Sequence, residues 1–328
     1  MNSLKTKKIV FIITVILFMI INIFCYSNKY DILARYQYDD INAHNKIKEN
    51  LNYEEISYII EYAIDPTQFI DMIDNPNFNI YNIEQYHELS NKYWQLTNYD
   101  ACTLYEVSLK TNFNYESYIE NNYHGIIIHY LNHGDPYYPD STLIKDPTTI
   151  DLFLNYNNTI SILDNTNLHK IPLNITNNKD IYIDNRVIDD LMGMCNAISK
   201  DLITNNCGNL QVINGYQSYS ELEEIYNDAI NNNYDINDYE APGHSEHQLG
   251  LAIDFKVKDV NVNNFNKTIQ YNWLKNNAYK YGFIFTYTED TIKDTKLNPQ
   301  LNHLRYVGKY NSKIMIENNY NLKELNNE

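Results

Sequence analysis

The first pattern along the chain is an almost unbroken apolar run from Ile9 to Tyr26, with Asn22 its one strongly polar member, directly after Lys5, Lys7 and Lys8. Crossing a bilayer takes about 17–25 such residues, so the run is long enough to span. It closes in Ile23-Phe24-Cys25-Tyr26, bulky side chains where a signal peptidase takes small ones. An uncleaved signal-anchor over 1–27 is therefore expected, with a cleaved signal peptide as the alternative. Phe24 is also too large to precede a lipid-modified Cys25. The lysines set the cytoplasmic side, which places the rest of the chain outside a cell membrane crossed once.

From 28 to 148 the pattern is mainly helical. Leu51, Ile56, Ile59, Ile60 and Ala63 recur at helical spacings, and Asp65-Pro66 closes that segment. Ile83, Tyr86, Leu89, Tyr93 and Leu96 form a second stripe, continued by Leu104, Val107 and Leu109. Ile126-Ile127-Ile128 reads as a short buried strand, and Gly134-Asp135-Pro136 as a turn. His124, His129 and His133 have no acidic neighbour at zinc-like spacing and read as surface histidines.

A second unit, 149–328, alternates strand and helix patterns. Leu152, Leu154, Ile160 and Ile162 alternate as strands do. Apolar spacing predicts a helix from Val187 to Ile203, a strand over Leu210–Ile213 and a helix from about Ser220 to Ile230. This order favours an α/β or α+β domain.

Composition narrows the function classes. The chain has 328 residues, with 25 Lys plus Arg against 42 Asp plus Glu, a formal charge of −17. Such a balance excludes a nucleic-acid binder, which needs clustered cations. The 32 Tyr and abundant Asn are what AT-rich codons produce. Beyond the apolar run, Cys102, Cys195 and Cys207 lie where disulfides form, but an odd number leaves one unpaired. Free buried thiols are the default expectation.

Chemistry concentrates in Ala241-Pro242-Gly243-His244-Ser245-Glu246-His247-Gln248-Leu249-Gly250-Leu251-Ala252-Ile253-Asp254-Phe255. In a strand of period two, Ala252, Asp254 and Lys256 share a face, so Asp254 projects from an otherwise apolar element. A buried Asp is costly unless it is paired or bound to metal. By spacing alone, a structural hydrogen bond to His247 and a shared metal explain it equally well.

Taken with later segments, the sequence resembles the VanY-type D-alanyl-D-alanine carboxypeptidases, zinc peptidases of the LAS type that trim the D-Ala-D-Ala end of peptidoglycan stems. The matching pieces, in order, are Gly215-Tyr216, Ser218-Tyr219, Pro242-Gly243, Ser245-x-His247-x-x-Gly250-x-Ala252-x-Asp254, Trp273-Leu274, Tyr281-Gly282-Phe283 and His303-x-Arg305-Tyr306-Val307-Gly308. The resemblance runs from about Leu168 to Leu325 and leaves the helical first half outside. It implies an α+β fold with a small antiparallel sheet flanked by helices, Zn2+ held by His247, Asp254 and His303, and Ser218 and Ser245 at the substrate. The implied partner is a peptidoglycan stem peptide. His244 lies just before the motif and reads as a loop residue.

Two positions depart from the family. Gln300 stands where the family has the Glu general base, three residues before the last zinc histidine, and Gln217 stands where it has the substrate arginine. A Gln cannot accept a proton at neutral pH. Leu222 and Thr286 replace a usual Gln and Arg. Three readings follow: a hydrolase with a substitute base among Glu289, Asp290 and Asp294, a zinc-holding pseudoenzyme that binds stem peptides or a partner, or a triad that has lost its metal.

Overall fold

A computed structural model describes residues 2–38, 40–94, 96–111, 119, 124–176 and 178–325. The chain divides into two compact units, Met1–Phe113 and Asn114–Glu328. Part of the helical pattern expected up to 122 falls outside the described residues.

In the first unit the apolar amino-terminal run is one helix, Asn2–Tyr30. Its Lys7–Tyr26 stretch is long and apolar enough to cross a membrane, and none of it is buried. Short helices follow at Ile41–Asn50, Tyr53–Glu61, Ile83–Lys92 and Asn98–Thr111. The Tyr53–Glu61 helix begins where Asn52 accepts from the Glu54 and Glu55 amides and Glu55 accepts from the Asn52 amide, a reciprocal cap for amides that lack partners within the helix. The second predicted stripe is buried throughout, from Ile83 to Leu96. Leu109 is the exception, exposed on the Asn98–Thr111 helix. Inside this unit the Tyr86 hydroxyl donates to Glu106 at 2.6 Å.

The second unit corrects two predicted elements. Residues His124–His133 are helical, so Ile126–Ile128 is not a strand. Ile126 and Ile127 are nonetheless buried, and three consecutive apolar residues carry no period that separates the two states. The alternation at Leu152–Ile162 yields only β2 (Asn158–Thr159), paired in parallel with β1 (Thr142–Leu143). Leu152, Leu154 and Ile160 are buried, but the Ile150 and Leu152 carbonyls accept from the Arg305 guanidinium rather than from a neighbouring strand.

Two antiparallel sheets frame the site. β3 (Leu168–Lys170) pairs with β4 (Tyr182–Asp184). β5 (Leu210–Asn214), β6 (Ala252–Val257), β7 (Phe283–Ile284) and β8 (His303–Tyr306) form a four-stranded sheet in the order β5-β6-β8-β7, every pair antiparallel. Helices at Ile188–Asp201, Tyr219–Asn231, Ile269–Asn277 and Lys309–Asn318 alternate with these strands. The fold is the expected α+β arrangement of helices around a small antiparallel sheet.

The sheet's two faces differ in chemistry. Val212, Ile253, Phe255 and Leu304 form one buried apolar face, because Val212 opposes Phe255 and Ile253 opposes Leu304. The other face carries Ala252 opposite Arg305 and Asp254 opposite His303. A bulge between Val212 and Asn214 adds a residue to β5, which turns Asn214 onto the face of Asp254.

The thiol expectation is also corrected. Cys195 and Cys207 form a disulfide, which joins the Ile188–Asp201 helix to the turn before β5, while Cys102 is a buried free thiol. Their separation in sequence left the geometry open. The left-handed backbone at Asn206, Cys207 and Gly208 is what folds the chain back onto the helix.

Candidate metal centre

Strand register builds the centre. Asp254 and His303 are direct partners across β6 and β8, and their side chains meet at 3.0 Å, His303 Nδ1 to Asp254 Oδ1. His247 comes from the loop before β6 and places its Nε2 3.3 Å from Asp254 Oδ2. All three side chains are buried or nearly so, and the two imidazole rings meet edge to face at 5.0 Å.

The loop that delivers His247 is held by its own side chains. Gln248 is fully buried, donates to the Ser161 and Leu163 carbonyls and accepts from the Gly243 amide. Ser245 Oγ accepts from the His247 amide. Gly250 ends the loop with φ +69°, and a Cβ there would crowd the Asp184 amide at 3.1 Å. His244 points its ring elsewhere: Nδ1 meets the Asn155 carbonyl and Nε2 meets Asp135, each at 2.9 Å.

Each histidine is oriented by the nitrogen that does not face the centre. His247 Nδ1–H donates to the Gly215 carbonyl at 2.7 Å. Gly215 allows this because a Cβ would lie 2.3 Å from the Tyr182 carbonyl oxygen on β4. His303 Nε2–H donates to Glu246 at 3.0 Å, and Thr286 donates to the same carboxylate oxygen at 2.7 Å. Such outer partners fix which ring nitrogen offers a lone pair. Asn214 adds a bond to Asp254 Oδ2 at 2.8 Å.

The electrostatics calls for positive charge. Burial works against an imidazolium at His303, but its bonds to Asp254 and Glu246 overcome that and push it up to about 10. His247 is likewise raised by Asp254 despite burial. Burial also opposes ionisation of Asp254, yet the two histidines hold it well below the usual carboxylate range.

A further acid reaches the same point. Glu240 places Oε1 3.9 Å from His247 Nε2 and 4.0 Å from His303 Nδ1. Glu240, His247 and His303 have donor atoms mutually close enough to share one cation. The donors are two imidazole nitrogens and carboxylate oxygens, the set a tetrahedral zinc ion takes.

A cleft of about 190 Å³ opens onto this cluster, lined among others by Gln217, Glu240, His247, Asp254 and Gln300. Gln300 is half-buried at its rim and donates from its side chain to the Asp238 carbonyl at 3.4 Å. Ser218 caps the Tyr219–Asn231 helix and donates to Glu221 at 2.8 Å. None of the three acids weighed as a substitute base lines the cleft. Asp294 is buried and paired with Lys323 at 2.6 Å, while Glu289 and Asp290 are exposed. Sequence reading missed Glu240 and Asn214 as members of the site and left Glu246 without a role. Glu246 lay inside the motif, but the signal for Glu240 was only an acid two residues before Pro242.

Known proteins point the same way. Residues 180–309 match the sequence model of the family described as VanY, D-alanyl-D-alanine carboxypeptidase. YodJ of Bacillus subtilis (strain 168), whose name assigns it provisionally to the carboxypeptidases, is 34% identical over 149 residues, 44% of this chain and 53% of that protein. A D-alanyl-D-alanine carboxypeptidase of Enterococcus faecium is 29% identical over 146 residues, 44% of each chain. The chain thus spans about half the length of these curated relatives. Among solved structures, the LdcB LD-carboxypeptidase shares 28% identity at a TM-score of 0.51, covering 57% of this chain and 90% of that one. Over residues 180–309, and with His247 and Asp254 lining the cleft, the chain is thus similar to the VanY-type D-alanyl-D-alanine carboxypeptidases.

Proposed function

We propose that this chain is a membrane-anchored, zinc-holding domain on the outer face of the cell, which takes the D-Ala-D-Ala end of a peptidoglycan stem peptide and hydrolyses it slowly or not at all. The observation that carries the reading is the pairing of the intact His247, Asp254 and His303 cluster with Gln300 and Gln217 in the same cleft. Zinc bound there supplies Lewis-acid polarisation of a carbonyl and brings the pKa of water to about 7. The protein's own groups supply less than such a reaction needs. The Gln300 amide orients a neighbour by hydrogen bonding but takes no proton, and loss of a general base typically costs about 10²–10⁴ in rate. Gln217 offers a neutral amide where a guanidinium fork would grip a carboxylate. Ser218 remains the proposed contact to the peptide, while Ser245 is fully buried and holds the His247 amide instead.

Membrane attachment rests on the Asn2–Tyr30 helix and its exposed apolar stretch. The LdcB structure is described as revealing the basis of peptidoglycan recognition, which supports a wall peptide as partner.

A second reading, an active carboxypeptidase, draws on Glu240, the one carboxylate lining the cleft besides Asp254 and Asp238. The test is incubation with a pentapeptide ending in D-Ala-D-Ala, with peptide binding followed by calorimetry, terminal D-Ala release by mass spectrometry and zinc content by elemental analysis. Zinc near one per chain, saturable peptide binding and D-Ala release no greater than in His303→Ala are expected. Rapid release above that variant would establish the active reading instead.

A further inference from the structure

From the geometry we infer that Glu240 is a fourth protein ligand to the metal and occupies the coordination position that a catalytic site keeps open. The inference rests on the metal-holding reading given above and extends it to the coordination number.

Three observations converge on Glu240. Its carboxylate is buried and fixed at one end, where Oε2 accepts from the Glu246 amide at 2.6 Å. That bond leaves Oε1 facing His247 Nε2 at 3.9 Å and His303 Nδ1 at 4.0 Å. These are the same two nitrogens that face Asp254, at 3.3 and 3.0 Å. Donor atoms of a tetrahedral zinc site sit about 3.3 Å apart, given bonds of about 2.0–2.1 Å. Asp254 meets the two nitrogens with different oxygens, Oδ2 at His247 and Oδ1 at His303, and Glu240 Oε1 has to close by about 0.6–0.7 Å to reach that spacing.

Charge supports the same arrangement. Glu240, Glu246 and Asp254 place three carboxylates around the centre, with Arg305 the buried cation on the same sheet face. With neutral imidazoles the sum is −2, the charge one divalent cation cancels. Buried charge without such compensation is strongly disfavoured.

A second polar group lies beside Glu240. The buried Tyr287 hydroxyl lies against Glu240, and burial first, then the charges of Glu240 and Glu246, keep it in the phenol form. Its ring leans on His303 at 4.6 Å.

Catalytic zinc sites have three protein ligands and an exchangeable fourth position, whereas structural sites are closed by four. Glu240 as ligand therefore closes the site, and its carboxylate is no longer a proton acceptor. Gln at position 300 and a ligating Glu240 then act in one direction.

The test uses the full chain loaded with Co(II) in place of zinc. Its visible absorption and its response to azide, which enters open positions, are read on the wild type without any substitution. Metal affinity is measured by chelator competition on wild type, Glu240→Gln, Glu240→Ala and His303→Ala. The expected wild-type spectrum is that of a four-coordinate ion and is unmoved by azide. Both Glu240 variants acquire an azide-dependent spectrum and lose more than about tenfold in affinity, since even outer partners of a ligand are worth about 10–100-fold. A wild-type spectrum that shifts with azide, or affinities unchanged in both Glu240 variants, overturns the inference alone. A wild type that binds no more Co(II) or zinc than His303→Ala overturns both it and the metal-holding reading.

Discussion

At the residue scale the centre is a set of paired roles. His247 and His303 face inward because the Gly215 carbonyl and Glu246 hold their outer nitrogens. At the positions proposed for the base and the substrate arginine, Gln300 offers an amide of a glutamate's length and Gln217 an amide shorter than an arginine. Restoring a carboxylate and a guanidinium there is a direct test. In a Glu240→Ala background, Gln300→Glu with Gln217→Arg is expected to raise terminal D-Ala release by about 10²-fold or more, as measured by mass spectrometry. Without Glu240→Ala the same pair gains less than about tenfold. Much of this was legible in the sequence, since His247, Asp254, His303, Gln300 and Gln217 are all set by motif position. Glu240 was not, because an isolated acid before a Pro-Gly turn carries no period and no spacing. Only the path of the loop brings it within 4.0 Å of His303.

At the scale of elements, the centre depends on a loop and two strands held in register. Gln248 serves three backbone groups at once, so Gln248→Ala leaves Gly243 N–H and the Ser161 and Leu163 carbonyls unpaired. Leaving buried polar groups unmade costs about 1–3 kcal/mol, which urea denaturation resolves, and metal affinity should fall with it as His247 loosens. The disulfide closes a short loop between positions 195 and 207. Converting both cysteines to Ser is expected to lower stability by about 3 kcal/mol, read from the same denaturation curves. The helix patterns were legible here because a 3.6 period spans many residues, as at Ile83–Lys92, although the stripe's last members, Tyr93 and Leu96, are buried beyond the helix end. The Ile126–Ile128 run and the Leu152–Ile162 alternation were misread because a few apolar residues report burial without reporting which backbone groups pair.

At the scale of the molecule, acidic charge shapes stability more than it shapes partners. Asp184 is buried, which alone would raise its pKa, but the Arg186 guanidinium grips both carboxylate oxygens and the net effect is a lowered value. A group lowered on folding binds its proton more readily in the unfolded chain, so stability rises with pH in that window. The contribution of Asp184 is complete above its ordinary value of 3.8 and is lost as the pH falls through the lowered one. Asp135 behaves alike, with burial opposed by His244. Thermal unfolding followed from about pH 5 down to about pH 2 should therefore show a falling midpoint, with a shallower fall in Asp184→Asn. Metal acts in the opposite sense: chelation of the loaded protein is expected to lower the unfolding midpoint at pH 7 by several degrees, because an ion that binds only the folded chain stabilises it by mass action.

The sequence by itself determined the apolar amino-terminal helix, an α/β or α+β order in its second half and, through its resemblance to the VanY-type carboxypeptidases, the two imidazoles and one aspartate of the centre. The first two follow from local periods and the third from motifs matched in order to that family, and both survive in one dimension. Tertiary structure alone decided the pairing of Cys195 with Cys207, the bulge that turns Asn214 toward Asp254, and the approach of Glu240 to the two histidines. Each of these is a meeting of groups whose distance depends on how turns and strands close upon one another, and no periodicity along the chain encodes that closure.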